Sequence, residues 1–387
     1  MANIIIWTPE LFGACGLGLR TIYRILSKLN DSIKISVGND IHQKDFDESD
    51  IIILIRPDNL MAYKIASAVK DTGRLLVSFF DDDLMHYSDN SFRRQNYAKK
   101  CVKYSDVIWA YNPLLLSDYI SMSKGGRGIL TNTVVNQEEL SRPKRSSDKI
   151  EFVYAADVNH EKFFEDIVLP AIPYILNKYG DKVFFNFVGV HPNVNGIIPI
   201  NKCKFFKPMT IDEYYDFMKN HHFDVGFAPL YDDSFMNRKY SIKYIDYSKS
   251  FIVGIYSEVF PFLFAVRQYE NGIFAKNRVD DWEKAMEYAI NNYEQLSCMA
   301  EKAQNDLINN FSLEKAISEI RNKLPEIEEV GREKRNARVI NNTVRDTLYS
   351  NIDRTADFVL AAKSNGIRYT IDRILNKIHR KHNNTVA

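Results

Sequence analysis

The chain is poor in cysteine, in net charge and in long apolar runs, and each shortage excludes something. Its four cysteines, Cys15, Cys101, Cys203 and Cys298, are far apart in 387 residues and form no C-x-x-C pair. That spacing supports neither a disulfide framework nor a zinc site, and it fits a reducing compartment. No segment approaches the ~20 apolar residues of a membrane-spanning helix. The opening MANIIIWTPE has no basic flank and only a brief apolar run before Thr8-Pro9, so it reads as a first strand and not as a signal peptide. Lys and Arg number 51 against 50 Asp and Glu, a net charge of +1, so no global field points to nucleic acid. The charge is unevenly spread. Residues 331–387 carry 12 Lys/Arg against 5 Asp/Glu, which leaves 39 against 45 in the rest of the chain. The expectation is a cytoplasmic protein, with peripheral attachment to the inner face of a membrane left open by the basic tail.

What the chain has is core material. A hydrophobic content of 45%, with 13% aromatic, supports two or three domains. Strand-like segments at Asn3–Trp7, Ile33–Val37, Ile51–Ile55, Leu75–Phe80 and Val107–Ala110 alternate with helical patterns, which predicts a parallel, doubly wound sheet. The polar stretch Thr131–Lys149 reads as a linker. The alternation then restarts at Phe152–Ala156, Val183–Val188, Lys204–Phe206, Val225–Ala228, Ile252–Tyr256 and Ile273–Ala275. The fold class is α/β: a Rossmann-like domain over 1–135, a linker over 136–149 and a second Rossmann-like domain over 150–310. A helix over 311–325 crosses back, and 326–387 reads as a basic helical tail. Apolar stripes in that tail run beside Arg368, Arg373, Lys377, Arg380 and Lys381, a surface for anionic lipid or for packing on the body.

The densest chemistry lies in Phe223–Ser257. A strand stopped by Pro229, a polar loop, a short helix and a second strand make one βαβ crossover, with the helix N-terminus at the carboxyl end of the first strand. Tyr240, Tyr244 and Tyr247 share a packing face, and Lys239, Lys243 and Asp246 share its neighbour. Two cations at a helix start oppose the dipole and repel each other by roughly 0.2–0.5 kcal/mol. A bound anion removes both penalties. The N–H groups near Ser241 and Ile242, with the two ammonium groups, form a cradle for a diphosphate, and Asp246 stands one turn on for a ribose diol. A solvated Lys/Asp face is the alternative.

Other positions carry weaker signals. Gly13 to Arg20 reads as the first βα turn, but G-x-G-x-x-G fails because Thr21 stands where its last glycine belongs, which disfavours NAD. Asp81-Asp82-Asp83 crowds acids at the carboxyl end of a core strand. One acid raised in pKa by its neighbours could move the proton of an acceptor hydroxyl. Asp82 and Asp83 are taken as functional and Asp81 as structural, with a helix cap or a metal site as rivals. Asn112-Pro113 reads as a helix start without chemistry.

DVGFAPL followed by K239…IKYIDY, with YENGIFAKNRVDDW at 269–282, resembles the donor-site block of glycosyltransferase family 4, retaining enzymes of the GT-B fold. The resemblance implies a nucleotide-diphosphate-sugar donor, a glycan or lipid-linked acceptor, a setting in surface polysaccharide synthesis and no metal cofactor. It implies donor-phosphate contacts from Lys239, Ser241 and Lys243 and a ribose contact from Asp246. Gly16 and Gly18 would approach the donor, and Lys207 falls where such enzymes contact the base. After the first strand of the second half, Lys162 falls on a donor lysine, and Asn159-His160 resembles a T-H pair, so His160 is named with Asp82 and Asp83 as catalytic. This chain departs from the pattern at Tyr240 (commonly Ser), Asp246 (commonly Glu), Arg238 (commonly acidic) and Ala156 (commonly Arg). A catalytically degenerate GT-B binding protein is the alternative.

Overall fold

The computed structural model describes residues 1–70, 72–87 and 91–329, and the basic tail read from the sequence lies outside them. Among the described residues, twelve strands form two parallel sheets of six. In the first are β1 (Ile4–Thr8), β2 (Ile33–Val37), β3 (Ile51–Ile55), β4 (Leu75–Phe80), β5 (Val107–Ala110) and β6 (Arg127–Leu130). In the second are β7 (Ile150–Ala155), β8 (Val183–Val188), β9 (Cys203–Phe206), β10 (Val225–Ala228), β11 (Val253–Ser257) and β12 (Ile273–Ala275). Every residue of β1, β3, β4 and β5 is buried, as unbroken apolar runs between two helical layers require. Strand β6 escaped the sequence reading because Gly125, Gly126 and Gly128 make RGIL resemble loop. Gly128 is there for packing: a Cβ on it would lie 2.2 Å from the Ile120 side chain.

The strand orders place the ligand crevices. The first sheet runs β2-β1-β3-β4-β5-β6 and the second β12-β11-β10-β7-β8-β9. Each order reverses once, between β1 and β3 and between β7 and β10, and open sheets of this kind bind ligands beyond the strand ends at that reversal. The second sheet is bound to its βαβ helix by a specific fit. A Cβ on Gly226 of β10 would sit 2.6 Å from the Tyr247 ring, whose hydroxyl donates to the Phe227 carbonyl at 2.7 Å. The glycine of DVGFAPL thus makes room for the last tyrosine of IKYIDY.

The chain passes between the lobes twice, and the two passes are bonded to each other. Val135 N–H donates to the Phe311 carbonyl at 2.8 Å, and Asn132 Nδ2 donates to the Asn310 carbonyl at 3.2 Å. Beyond the second pass, the Leu313–Lys323 helix and the turn after it bury Ala316, Ile320, Leu324 and Ile327 in the core of the first sheet. Arg127 fastens that end with a bidentate pair to Glu326 at 2.6 and 3.0 Å. Among the described residues no helix is long and apolar enough to cross a membrane.

Candidate active site

A cavity of about 280 Å³ lies between the lobes where the two reversal points face each other. From the second lobe it is lined by Ala156 and His160 after β7, by Pro229 and Leu230 after β10, and by Lys239, Tyr240, Ile242 and Lys243. The first lobe contributes Gly18, Thr21, Asp81, Asp82 and Tyr111. The sequence segments named for chemistry therefore converge, although Gly18 and Lys239 are more than two hundred positions apart.

The cationic wall is built at the start of the Ile242–Lys249 helix, with Ser241 as its N-cap residue. The Ser241 side chain makes no capping bond, so the first helical N–H groups keep their polarity for the cleft. Lys239 precedes the helix, and its ammonium reaches across to Asp82 Oδ1 at 3.7 Å. Lys243 sits in the first turn, 3.8 Å from Asp246 Oδ2. Burial pushes the Lys243 ammonium below its ordinary pKa, against the pull of Asp246. Burial raises the Asp246 carboxyl, opposed by Lys243 and Lys249, and its Oδ1 is buried without a hydrogen-bond partner. Tyr240 lies outside the helix stripe assigned to it. It crosses the cleft, its hydroxyl accepting from Thr133 N–H at 3.0 Å and its ring 4.6 Å from that of Tyr111.

His160 faces this wall. Its ring stacks on Phe163 at 4.9 Å, and its carbonyl accepts from Tyr154 Oη at 2.7 Å. Burial first, then the charges of Lys239 and Lys243, lower its pKa to about 4. The imidazole is therefore neutral at physiological pH.

The three acids divide differently from the sequence expectation. Asp83 is buried away from the cavity, accepting from Tyr119 Oη at 2.8 Å and contacting His86 Nδ1 at 2.9 Å. Asp81, read from the sequence as structural, lines the cavity beside Asp82. Burial raises the Asp81 carboxyl, and Arg56, its ion-pair partner, pulls it back. Arg56 also lies 3.5 Å from Asp82 Oδ2, and it holds the left-handed backbone conformation (φ 47°) at the end of β3. Non-glycine strain of this kind persists where surrounding contacts enforce it, and here they aim a guanidinium between two acids.

Other expectations need correction. The glycine turn is the first part of a helix, Gly13–Leu26. A Cβ on Gly16 would lie 2.2 Å from the Leu11 carbonyl oxygen, so that glycine serves backbone packing and does not line the cavity. Lys162, in the helical turn Glu161–Phe163, and Lys207, just past the end of β9, are exposed and lie outside the cavity lining. Ser241 lines a second cavity of about 490 Å³ behind Tyr240. Sequence reasoning missed Lys249, which lines the main cavity and bonds Glu139 Oε2 at 2.6 Å. Its spacing three residues beyond Asp246 was the available signal. Among the described residues no cluster of three or more His, Cys, Asp or Glu has metal-binding geometry.

Solved structures that share this architecture can now be stated by name. The crystal structure of HepE from Anabaena in complex with UDP-glucose superposes with a TM-score of 0.62 over 84% of this chain and 100% of that one, at 10% identity. The fold is GT-B. Sucrose-phosphate synthase from Thermosynechococcus elongatus gives a TM-score of 0.61 at 11% identity, covering 84% of this chain and 99% of that one. A glycosyltransferase from Rickettsia africae gives 0.59 at 13% identity, covering 85% and 99%. No family model and no curated protein sequence matches the chain. At these identities the GT-B likeness establishes architecture, and the chemistry rests on the cleft itself.

Proposed function

We propose that the protein is a glycosyltransferase that takes a sugar from a nucleotide-diphosphate donor. The observation that carries this reading is the convergence of Lys239, Lys243 and the N-terminus of the Ile242–Lys249 helix on an interlobe cavity where His160 is held neutral by burial and by those lysines. A diphosphate there would receive two ammonium groups and free backbone N–H groups, which stabilise charge as it develops on the leaving group. Asp246, named from the sequence for a ribose contact, is buried one turn behind Lys243 and does not line the cavity, so it acts on the donor site through its 3.8 Å contact with the Lys243 ammonium. On the opposite wall, Asp82 with Asp81 behind it faces the space an acceptor would enter, and one of them would take its hydroxyl proton. UDP or UDP-glucose is named in the HepE complexes that share this GT-B fold, which makes a uridine donor the first to try. Family 4 membership, retention of configuration, a metal-free reaction, a glycan or lipid-linked acceptor and a role in surface polysaccharide synthesis belong to the same proposal and rest on the sequence resemblance.

The test is a panel of nucleotide sugars and nucleoside diphosphates read by thermal shift, followed by calorimetry on Lys243→Ala and Asp246→Ala. Unchanged donor affinity in both variants removes the site assignment. The alternative, a degenerate GT-B protein that binds without turnover, is favoured by Ala156, which lines the cavity where the family carries arginine. Transfer or hydrolysis of any bound nucleotide sugar eliminates it.

A further inference from the structure

We propose that Asn112 is a positioning residue of the donor site. From the first lobe it sets the backbone on which the second lobe presents Lys239, so that both lobes together build donor affinity. This deepens the nucleotide-sugar reading and rests on it.

Asn112 is 2% exposed. Its Oδ1 accepts from the N–H groups of Leu114 and Leu115 at 2.9 and 3.1 Å, which caps the Pro113–Met122 helix. Its Nδ2 donates across the cleft to the carbonyls of Asn237 at 3.0 Å and Lys239 at 2.8 Å. The two halves of the amide therefore do different work. Capping needs only an acceptor, which aspartate provides equally well. The two donor bonds need an amide, and they have no use within the first lobe.

The segment they hold is shaped by its own turn bonds: Asp233 accepts from the N–H groups of Phe235, Met236 and Asn237, and Phe260 N–H of the same lobe donates to Asn237 Oδ1. None of residues 232–240 is buried, and the segment's only regular structure is the three-residue turn Met236–Arg238. Across the cleft the first lobe adds further holds. Asp118, on the helix that Asn112 caps, takes Arg238 Nε at 2.6 Å, and Tyr87 stacks on Phe235 at 5.3 Å. With the lobes apart, the carbonyls of Asn237 and Lys239 would turn to water, and the Lys239 ammonium would lose its aim. Closure then completes the phosphate site as well as covering it, which couples donor affinity to the interlobe contact.

The full-length wild type is compared with Asn112→Asp, which keeps the cap and turns a carboxylate oxygen toward the two carbonyls. Hydrogen exchange without ligand is followed in peptides spanning 233–241 and 113–122, and UDP affinity is measured by calorimetry. The expected result is at least about tenfold faster exchange in 233–241, unchanged protection in 113–122, and at least about tenfold weaker UDP binding, the effect of losing two cross-cleft bonds. Wild-type exchange and affinity in the variant overturn the proposal. Faster exchange in 113–122 also overturns it, because Asn112 would then be a cap and nothing more. If 233–241 loosens as expected but the wild type binds none of UDP, GDP and ADP, the positioning of Lys239 stands and the donor reading fails.

Discussion

Replacing Lys239 by methionine tests the cleft most directly. The side chain is 20% exposed, and its ammonium stands 3.7 Å from Asp82, itself 24% exposed. Two unit charges about 4 Å apart interact by about 4 kcal/mol at an effective dielectric near 20. Most of that is offset by desolvation and by the attraction to Asp82 that a diphosphate would displace. A charge-assisted hydrogen bond nets about 1.5–3 kcal/mol, which is roughly 10- to 150-fold in Kd. The interlobe pair itself is worth about 0–1 kcal/mol, so the variant should fold. Asp82→Asn should act in the opposite sense, tightening UDP binding on the order of threefold by removing the competing anion while lowering transfer. Calorimetry with UDP at low and high salt reads both, and the lysine effect should shrink as salt rises. Equal affinity in wild type and Lys239→Met refutes the argument. So does a loss of affinity in Asp82→Asn.

The remaining predictions use other parts of the molecule. His160, lowered to about 4 from an ordinary 6.5, refuses a proton that the unfolded chain accepts between those values. Stability should therefore fall as pH drops from 6.5 toward 4, by on the order of 2 kcal/mol from this group, and His160→Gln should flatten that slope in urea titrations. An identical slope in the variant would remove the buried, neutral imidazole. Gly16→Ala gains up to about 1 kcal/mol of helix propensity but drives a Cβ to 2.2 Å from a backbone oxygen, so a net loss of roughly 1–3 kcal/mol should appear as a lower Tm. A Tm at or above wild type would return Gly16 to the ligand. The basic tail, outside the described residues, is tested by flotation with phosphatidylserine vesicles with and without 331–387. Equal flotation dismisses a lipid role.

Much of the fold was legible because buried parallel strands are unbroken apolar runs. IIIWT, IIILI and LLVSFF need no partner's identity to be recognised. Strand β6 was not legible, since RGIL is held by helix packing over Gly128, a contact that local composition does not encode. The start of the Ile242–Lys249 helix was legible for a local reason: i, i+4 spacing and the dipole argument need only neighbouring residues.

What the sequence by itself determined was therefore eleven of the twelve described strands, the pairing of lysines with a helix start, and the acid run at the end of β4. Tertiary structure decided which of those groups share a space. Asp83 turned inward because Tyr119 supplies a buried hydroxyl, and Asp81 faces the cleft because Arg56 waits at the end of another strand. Asn112 gained a partner more than a hundred positions away. Such choices depend on where the second lobe docks, and docking is a sum over contacts from distant segments that no local pattern records.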